Sequence, residues 1–153
     1  MGQRGRILVF MDGKPTLEDA IIVAAGAHRG QTDKAGQPYI LHPLRVMLRL
    51  EDEVGRICAL LHDVLEDTSV TMGDLRRAGH GDEVLQTLEA LTRRKGEDYA
   101  EFIERVAKNG LARRVKLADL ADNLDAARLS EITPRDRERL ARYRAAWERL
   151  SST

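Results

Sequence analysis

The feature that most constrains the fold is a helix-start signal that recurs along the chain. Three threonines each stand three residues before an aspartate, a spacing at which the hydroxyl and the carboxylate cap the first turn of a helix. The pairs are Thr16 with Asp19, Thr71 with Asp74, and Thr133 with Asp136. Aromatic residues make up only 4% of the chain, which disfavours a sheet. The sequence therefore predicts an all-α fold of about eight helices.

Glycine and proline positions set further helix boundaries. Pro43 fits the first position of a helix, whereas Gly96 and Gly110 mark helix ends. The predicted helices span residues 16–29, 43–51, 54–67, 71–79, 82–93, 97–108, 111–130 and 134–151. Residues 1–15 are predicted to form a short irregular leader, and residues 16–153 a single compact domain.

Composition excludes several classes of protein. With 42% hydrophobic and 33% charged residues, the chain is neither disordered nor a membrane protein, and its longest apolar stretch falls far short of a span of about 20 residues. Lys and Arg total 25, as do Asp and Glu, so no basic surface for nucleic acid or anionic lipid is expected. A single cysteine, Cys58, is typical of a reducing cytoplasm and is expected in the core. The oligomeric state is left open.

One predicted helix carries an unusual polar stripe. His62, Asp63, Glu66 and Asp67 fall on one side of the helix over 54–67, and apolar residues fill the opposite side. A face with three carboxylates beside one imidazole is electrostatically unfavourable unless a cation neutralises it. The alternative is a solvated acidic face.

Two other segments offer partners for this stripe. His42 stands at a predicted helix start, and Asp119 lies on a later helix with Lys116 and Asn123 on neighbouring turns. The spaced pattern His42, His62-Asp63 and Asp119 supplies two imidazoles and two carboxylates, which suit Mn²⁺, Fe²⁺, Co²⁺ or Zn²⁺. Taken singly, His42 is also explained as a turn residue, and the Asp119 segment as a solvated face.

These residues lie in segments that resemble the HD-superfamily metal-dependent phosphohydrolases, in particular the hydrolase domain of RelA/SpoT proteins and the small alarmone hydrolases. The segments are 27–31 (AHRGQ), 36–43 (GQPYILHP), 62–68 (HDVLEDT) and 116–119 (KLAD) with Asn123. They occur in the family's order and cover roughly residues 17–130. The resemblance implies a compact HD-domain helical bundle acting on a small-molecule nucleotide.

The resemblance also implies roles for individual residues. His42, His62, Asp63 and Asp119 match the ligands of one Mn²⁺, for which other divalent transition metals could substitute. Glu66 and Asp67 match the pair that handles the attacking water. The implied reaction removes the 3′-pyrophosphate of guanosine tetra- or pentaphosphate and yields GDP or GTP and pyrophosphate. With 153 residues, the chain is expected to be a stand-alone hydrolase without a synthetase domain.

Substrate contacts carry over from the same family. Lys34, Asn123 and Tyr143 match substrate-binding positions, although each is also explained as a loop, surface or packing residue. Asp33 departs from the pattern, because the alarmone hydrolases carry an arginine there against the guanine base. An aspartate either weakens the hold on the base or accepts hydrogen bonds from a guanine edge, and the first alternative predicts that Asp33→Arg improves use of the alarmone.

Several residues are predicted to carry no chemistry. We expect His28 to fix its loop by hydrogen bonding, His80 to be an exposed turn residue, and Trp147 to lie on the packing face of the last helix. The basic run 93–95 is expected to be a helix end, and the alternative is that it gathers phosphate groups and so compensates for Asp33. Two other functions remain open: a phosphatase acting on NADPH or a deoxynucleotide through the same metal site, and a nucleotide-binding module without turnover.

Overall fold

The computed structural model describes residues 13–125 and 131–152. Most of the predicted leader and the end of the helix predicted over 111–130 lie outside the described residues. Within the described part of the chain the helices are α1 (Leu17–Ala27), α2 (Leu41–Leu48), α3 (Glu53–Asp67), α4 (Met72–Arg77), α5 (Asp82–Leu91), α6 (Tyr99–Ala107), α7 (Gly110–Asn123) and α8 (Pro134–Ser151). The all-α prediction is confirmed.

The three predicted threonine caps all form. Each threonine hydroxyl accepts the backbone N–H of the aspartate, and each aspartate carboxylate accepts the backbone N–H of the threonine, at the starts of α1, α4 and α8. A fourth such pair, Asp98 with Glu101, begins α6 two residues later than predicted. Because these caps depend only on local sequence, they can be predicted without knowledge of the fold.

Helix α2 begins earlier than predicted. It starts at Leu41 rather than Pro43, with Ile40 as a cap that makes no side-chain hydrogen bond. Pro43 therefore occupies the third position, where a helix still needs no N–H donor from it. This shift puts His42 inside the first turn, with its side chain directed by the helix rather than by a loop.

Helix α3 is the central element of the fold. It packs against α1, α2, α5 and α7, and α8 covers α6 and α7. Residues 57–62 of α3 are all buried, including Cys58, which lies in the core as predicted. A helix buried on nearly every side positions its polar residues rigidly, so the site on α3 has a fixed base.

Two predictions about side-chain burial are wrong. His80 is 5% exposed rather than an open turn residue, because its N–H bonds the Leu75 carbonyl in a Schellman ending of α4, which turns residue 80 back onto the fold. Gly79 makes this turn possible with a φ of 103°. Trp147 is 38% exposed, since the buried face of α8 is formed by Ala146 and Leu150 and the indole lies at its edge.

The segment between α1 and α2 is irregular but tightly held. Thr32 and Pro38 form an isolated antiparallel bridge, and the Tyr39 N–H bonds the Gln31 carbonyl at 2.9 Å. His28 is buried and its Nδ1 lies 2.8 Å from Gln31 Oε1, which is the loop-fixing contact expected of it. No helix in the described ranges is both long and apolar enough to cross a bilayer.

Candidate metal centre and substrate cavity

Three helices bring the four predicted metal ligands together. His42 comes from the first turn of α2, His62 and Asp63 from α3, and Asp119 from α7, and these helices pack against one another in every pairing. One nitrogen or oxygen atom from each side chain lies within 4.8 Å of those of the other three. Residues 77 positions apart in sequence thus converge on one point.

The candidate ligand atoms face one another, with histidine nitrogens opposite carboxylate oxygens. Nε2 of His42 lies 2.8 Å from Asp119 Oδ1, and Nε2 of His62 lies 3.3 Å from the same oxygen. Asp63 Oδ1 lies 3.2 Å from His62 Nε2. Two imidazole nitrogens and carboxylate oxygens around one point form a donor set that fits a divalent first-row transition metal.

The pKa values of the ligands reflect this crowding. Burial alone would lower the pKa of His42, but the hydrogen bonds to Asp119 and Asp122 outweigh it and raise that pKa to about 10. Burial likewise opposes the charge of His62, while Asp63 and Asp119 raise its pKa to about 8. Burial would raise the pKa of Asp119, yet Lys116 and the two histidines hold it well below the usual range. The carboxylates therefore favour a cation at this point.

Each ligand is held from behind by a further group. Tyr39 donates its hydroxyl to Asp63 Oδ2 at 2.6 Å, and the Lys116 ammonium donates to Asp119 Oδ2 at 2.9 Å. Nδ1 of His62 lies 2.6 Å from the Ala59 carbonyl, and Nδ1 of His42 lies 2.6 Å from Asp122 Oδ2. Such outer contacts orient metal ligands and fix imidazole tautomers.

Sequence reasoning missed these supporting roles. Tyr39 and Lys116 stood in the quoted motifs without a function, and Asp122 belongs to the segment around Asp119 that is also explained as a solvated face. The available signal was spacing, since Lys116 and Asp122 lie three residues on either side of Asp119 and share its helix face.

A cavity of about 520 Å³ includes the four predicted metal ligands in its wall. Its volume lies in the range of sites for nucleotide-sized ligands. The cavity is lined by the four ligands, by the predicted Glu66, Lys34, Asn123 and Tyr143, and by the further cationic side chains Arg93, Lys116 and Arg139. Positive side chains around such a cavity suit a phosphorylated ligand.

The structure separates the two predicted catalytic carboxylates. Glu66 lines the cavity, and its Oε1 accepts the Arg93 backbone N–H at 2.8 Å. Partial desolvation by the surrounding protein raises the pKa of Glu66, and the negative charge of Asp63 adds to this effect. Asp67 is not among the lining side chains, and its carbonyl accepts a hydrogen bond from Gln31 at 3.0 Å. Desolvation also raises the pKa of Asp67.

The predicted substrate residues all line the cavity, but they differ in solvent exposure and in the contacts that their side chains make. The Lys34 side chain is 58% exposed, and its ammonium lies 3.5 Å from Asp136 Oδ1. The Asn123 amide donates to Asp119 Oδ1 at 3.3 Å, so it touches both the cavity and a metal ligand. Tyr143 is half-buried, and its ring centre lies 6.3 Å from that of Tyr99.

Asp33 has a structural function in the loop before α2. Its Oδ1 accepts the backbone N–H groups of Ala35 at 2.9 Å and Gln37 at 3.0 Å, which closes the loop before α2. This is a turn in which a short carboxylate replaces a backbone acceptor. Asp33 also lines the cavity, so one residue shapes the loop and faces the ligand.

The residues of the basic run 93–95 lie in two different environments. The run follows the end of α5 at Leu91, in agreement with the predicted helix end to within two residues. Arg93 lines the cavity, and its Nε donates to the Glu97 carbonyl at 2.9 Å. Arg94 lies 3.6 Å from Glu89 on the surface. Only the first residue of the run therefore faces the candidate site.

The packed helices and the cluster of His42, the adjacent pair His62-Asp63, and Asp119 together identify the class of protein to which this chain belongs. The family model described as the HD domain matches residues 20–146, and the chain belongs to this family. Among solved structures, a metazoan ortholog of SpoT that hydrolyses ppGpp and acts in starvation responses superposes with a TM-score of 0.75 at 27% identity, covering 93% of this chain and 90% of that one.

Bacterial relatives are similar over most of the chain. The bifunctional (p)ppGpp synthase/hydrolase SpoT of Escherichia coli K12 is 32% identical in an alignment of 141 residues that covers 82% of this chain. A guanosine-3′,5′-bis(diphosphate) 3′-pyrophosphohydrolase of Aquifex aeolicus is 33% identical in an alignment of 120 residues that covers 71% of this chain. The chain spans only 20% and 17% of the lengths of these two relatives.

Proposed function

We propose that this protein is a divalent-metal-dependent hydrolase that removes the 3′-pyrophosphate of guanosine tetra- and pentaphosphate. The observation that carries the proposal is the convergence of His42, His62, Asp63 and Asp119 in the wall of a cavity that also carries cationic side chains. The names of the similar bacterial and metazoan proteins support the choice of substrate.

The proposed ligands of the metal are these same four side chains. Mn²⁺ is the proposed ion, because mixed imidazole and carboxylate donors suit it and leave coordination positions for water and substrate. When bound, such an ion lowers the pKa of a water molecule and offsets the charge that develops on the attacked phosphoryl group. The Lys116 side chain is 12% exposed and its ammonium lies 2.9 Å from Asp119 Oδ2, so it keeps one oxygen of that proposed ligand occupied and leaves Oδ1 directed inward.

Glu66 is the proposed general base. It faces the cavity from the helical turn that follows His62 and Asp63, so it is near the ion without being a ligand. Its raised pKa makes it a better proton acceptor than a solvated glutamate, and the Arg93 N–H fixes one of its oxygens. Asp67 is proposed to assist from the edge of the site through its negative charge.

Lys34, Asn123 and Tyr143 are the proposed substrate contacts. The partly exposed ammonium of Lys34 suits a phosphate group, and the Asn123 amide offers hydrogen bonds beside the metal ligands. The half-buried ring of Tyr143 provides a surface for packing against a sugar or base. We place the enzyme in the cytoplasm, where its proposed nucleotide substrates occur.

Product analysis tests the proposal. The purified protein with Mn²⁺ is expected to convert guanosine tetraphosphate to GDP with release of pyrophosphate. Release of orthophosphate, or turnover of NADPH or deoxynucleotides alone, would refute the alarmone assignment. The protein would then be a metal-dependent phosphatase. Tight nucleotide binding without turnover in Mn²⁺, Co²⁺ or Zn²⁺ would establish a binding module instead.

A ligand variant tests the metal part separately. His62→Ala is expected to reduce the metal content of the purified protein and to abolish turnover, because it removes a buried donor. Equal metal content in wild type and His62→Ala would refute the ligand set, whatever reaction is found.

A further inference from the structure

Asp122 lies directly behind His42. Its Oδ2 is 2.6 Å from His42 Nδ1, whereas Nε2 of the same ring is directed at Asp119 Oδ1, 2.8 Å away. Asp122 is 1% exposed, so this carboxylate meets protein atoms rather than solvent. A carboxylate that accepts the N–H of Nδ1 leaves the lone pair of Nε2 for an ion.

Arg45 holds Asp122 in this orientation. Its Nε donates to Oδ1 at 2.8 Å, and its Nη2 donates to Oδ2 at 3.2 Å. A two-pronged contact of this kind fixes the plane of a carboxylate. Arg45 follows His42 by three residues on α2, and Asp122 follows Asp119 by three residues on α7, so adjacent turns of two helices bring the groups together.

The two histidines of the site are supported differently. Nδ1 of His62 faces the neutral carbonyl of Ala59 within its own helix, at 2.6 Å. Nδ1 of His42 faces a buried carboxylate from another helix, which both orients the ring and raises its basicity as a ligand.

We propose that Asp122, held by Arg45, is a positioning residue that fixes His42 with its proton on Nδ1 and so sets the metal affinity of the site. The inference rests on the proposed metal centre, but it does not depend on the identity of the substrate. Asp122 acts through His42 and is not itself a ligand, because its two oxygens are engaged by Arg45 and by Nδ1.

The first test measures binding of Co²⁺ alone to the full chain by absorption titration. Asp122→Asn keeps the shape of the side chain, but its amide N–H can donate a hydrogen bond to His42 Nδ1. This contact favours the tautomer of His42 that is protonated on Nε2, and a protonated Nε2 cannot bind the metal. We expect Co²⁺ binding to weaken by about 10-fold to 100-fold, the range for losing such an outer contact. The matched control is Glu104→Gln, which breaks a surface carboxylate–arginine pair with Arg149 and leaves Co²⁺ binding unchanged.

A second measurement needs no variant. Nuclear magnetic resonance of the ring nitrogens in the Zn²⁺-loaded wild-type protein is expected to show the proton of His42 on Nδ1. A proton on Nε2, or Co²⁺ affinity of Asp122→Asn within twofold of wild type, would overturn the proposal. Both measurements use a metal ion without substrate. A wild-type protein that binds Co²⁺ but does not hydrolyse the alarmone would therefore refute the proposed reaction and leave the role of Asp122 untouched.

Discussion

The Tyr39 hydroxyl donates a hydrogen bond of 2.6 Å to Oδ2 of Asp63, and this contact ties the loop before α2 to the ligand pair on α3. Burial raises the pKa of Tyr39, and the charge of Asp63 raises it further, so the phenol stays protonated and remains a donor. With Oδ2 engaged by Tyr39, Asp63 keeps Oδ1 beside His62 Nε2. A residue of an irregular loop thus sets the geometry of a helix-borne ligand.

Tyr39→Phe is expected to weaken metal binding without unfolding the protein. Loss of a hydrogen bond to a charged group costs about 1.5 kcal/mol, or roughly tenfold in Co²⁺ affinity. Absorption titration measures the change, and Tyr143→Phe, which removes a hydroxyl elsewhere on the cavity wall, serves as the control for metal affinity. Equal Co²⁺ affinity in Tyr39→Phe and wild type would contradict the role assigned to this contact.

The two proposed catalytic carboxylates are expected to differ in their effect on turnover. Glu66→Gln should lower kcat by about 10²-fold to 10⁴-fold, the usual contribution of a general base, because Glu66 faces the cavity. Asp67→Asn should lower kcat less, because its side chain is not part of the described cavity wall. Steady-state rates with guanosine tetraphosphate, with metal content measured in parallel, give the comparison.

The opposite order of these effects, with Asp67→Asn the more damaging, would reverse the roles assigned to the pair. A fall in metal content in Glu66→Gln would make Glu66 a ligand rather than a base.

Substitutions at Asp33 are expected to separate its loop function from its charge. Asp33→Asn keeps an oxygen that accepts the N–H groups of Ala35 and Gln37, so it should preserve the loop and change KM through charge alone. Asp33→Arg gains a cation near the phosphates but loses the turn, at a cost of about 1 kcal/mol per lost hydrogen bond. We therefore expect the gain in alarmone use predicted from sequence to be offset by a less ordered loop.

The measurement is the ratio of kcat/KM for guanosine and adenosine 3′-pyrophosphates in wild type, Asp33→Asn and Asp33→Arg. A higher guanine preference and unchanged thermal stability in Asp33→Arg would show that the turn contributes little. No change in either variant would place position 33 outside the substrate contacts.

The buried His80 is expected to make stability depend on pH. Burial lowers the pKa of His80 below its ordinary value of 6.5, with Lys14 acting in the same direction and Asp19 opposing it. A histidine with a lowered pKa in the folded state favours folding above the unfolded pKa, and this contribution is lost as the pH falls below about 6.5. The free energy of unfolding of wild type relative to His80→Leu should therefore be larger at pH 8 than at pH 5.

Urea unfolding of both proteins at the two pH values tests this, because the other histidines are common to both and cancel in the difference. A difference that stays constant between pH 8 and pH 5, or that grows as the pH falls, would contradict a neutral, buried His80.

The features that sequence predicted are those fixed by local chemistry or by spacing on one helix. Thr16, Thr71 and Thr133 capped their helices because a cap needs only its own first turn. The Glu66 side chain followed His62 by one helical turn, so its approach to the site could be expected from periodicity alone.

The features that sequence missed depend on how elements pack. His80 was taken for an exposed residue because two glycines flank it, yet the helix ending turned it inward. Asp122 showed no function on its own helix, because the group it supports, His42, comes from a helix 80 residues earlier. A contact of this kind becomes visible only when α2 and α7 are placed side by side.

The candidate metal centre also has a consequence for the folding of the chain. His42 and Asp119 are 77 residues apart, so an ion held between them closes half of the polypeptide into a loop, as a covalent cross-link would. Because the unfolded chain offers no such preformed site, ion binding adds to the stability of the native state in proportion to the logarithm of the free ion concentration. With the proposed ion bound, the persistence of the folded protein would be linked to the supply of the same ion that the proposed reaction requires.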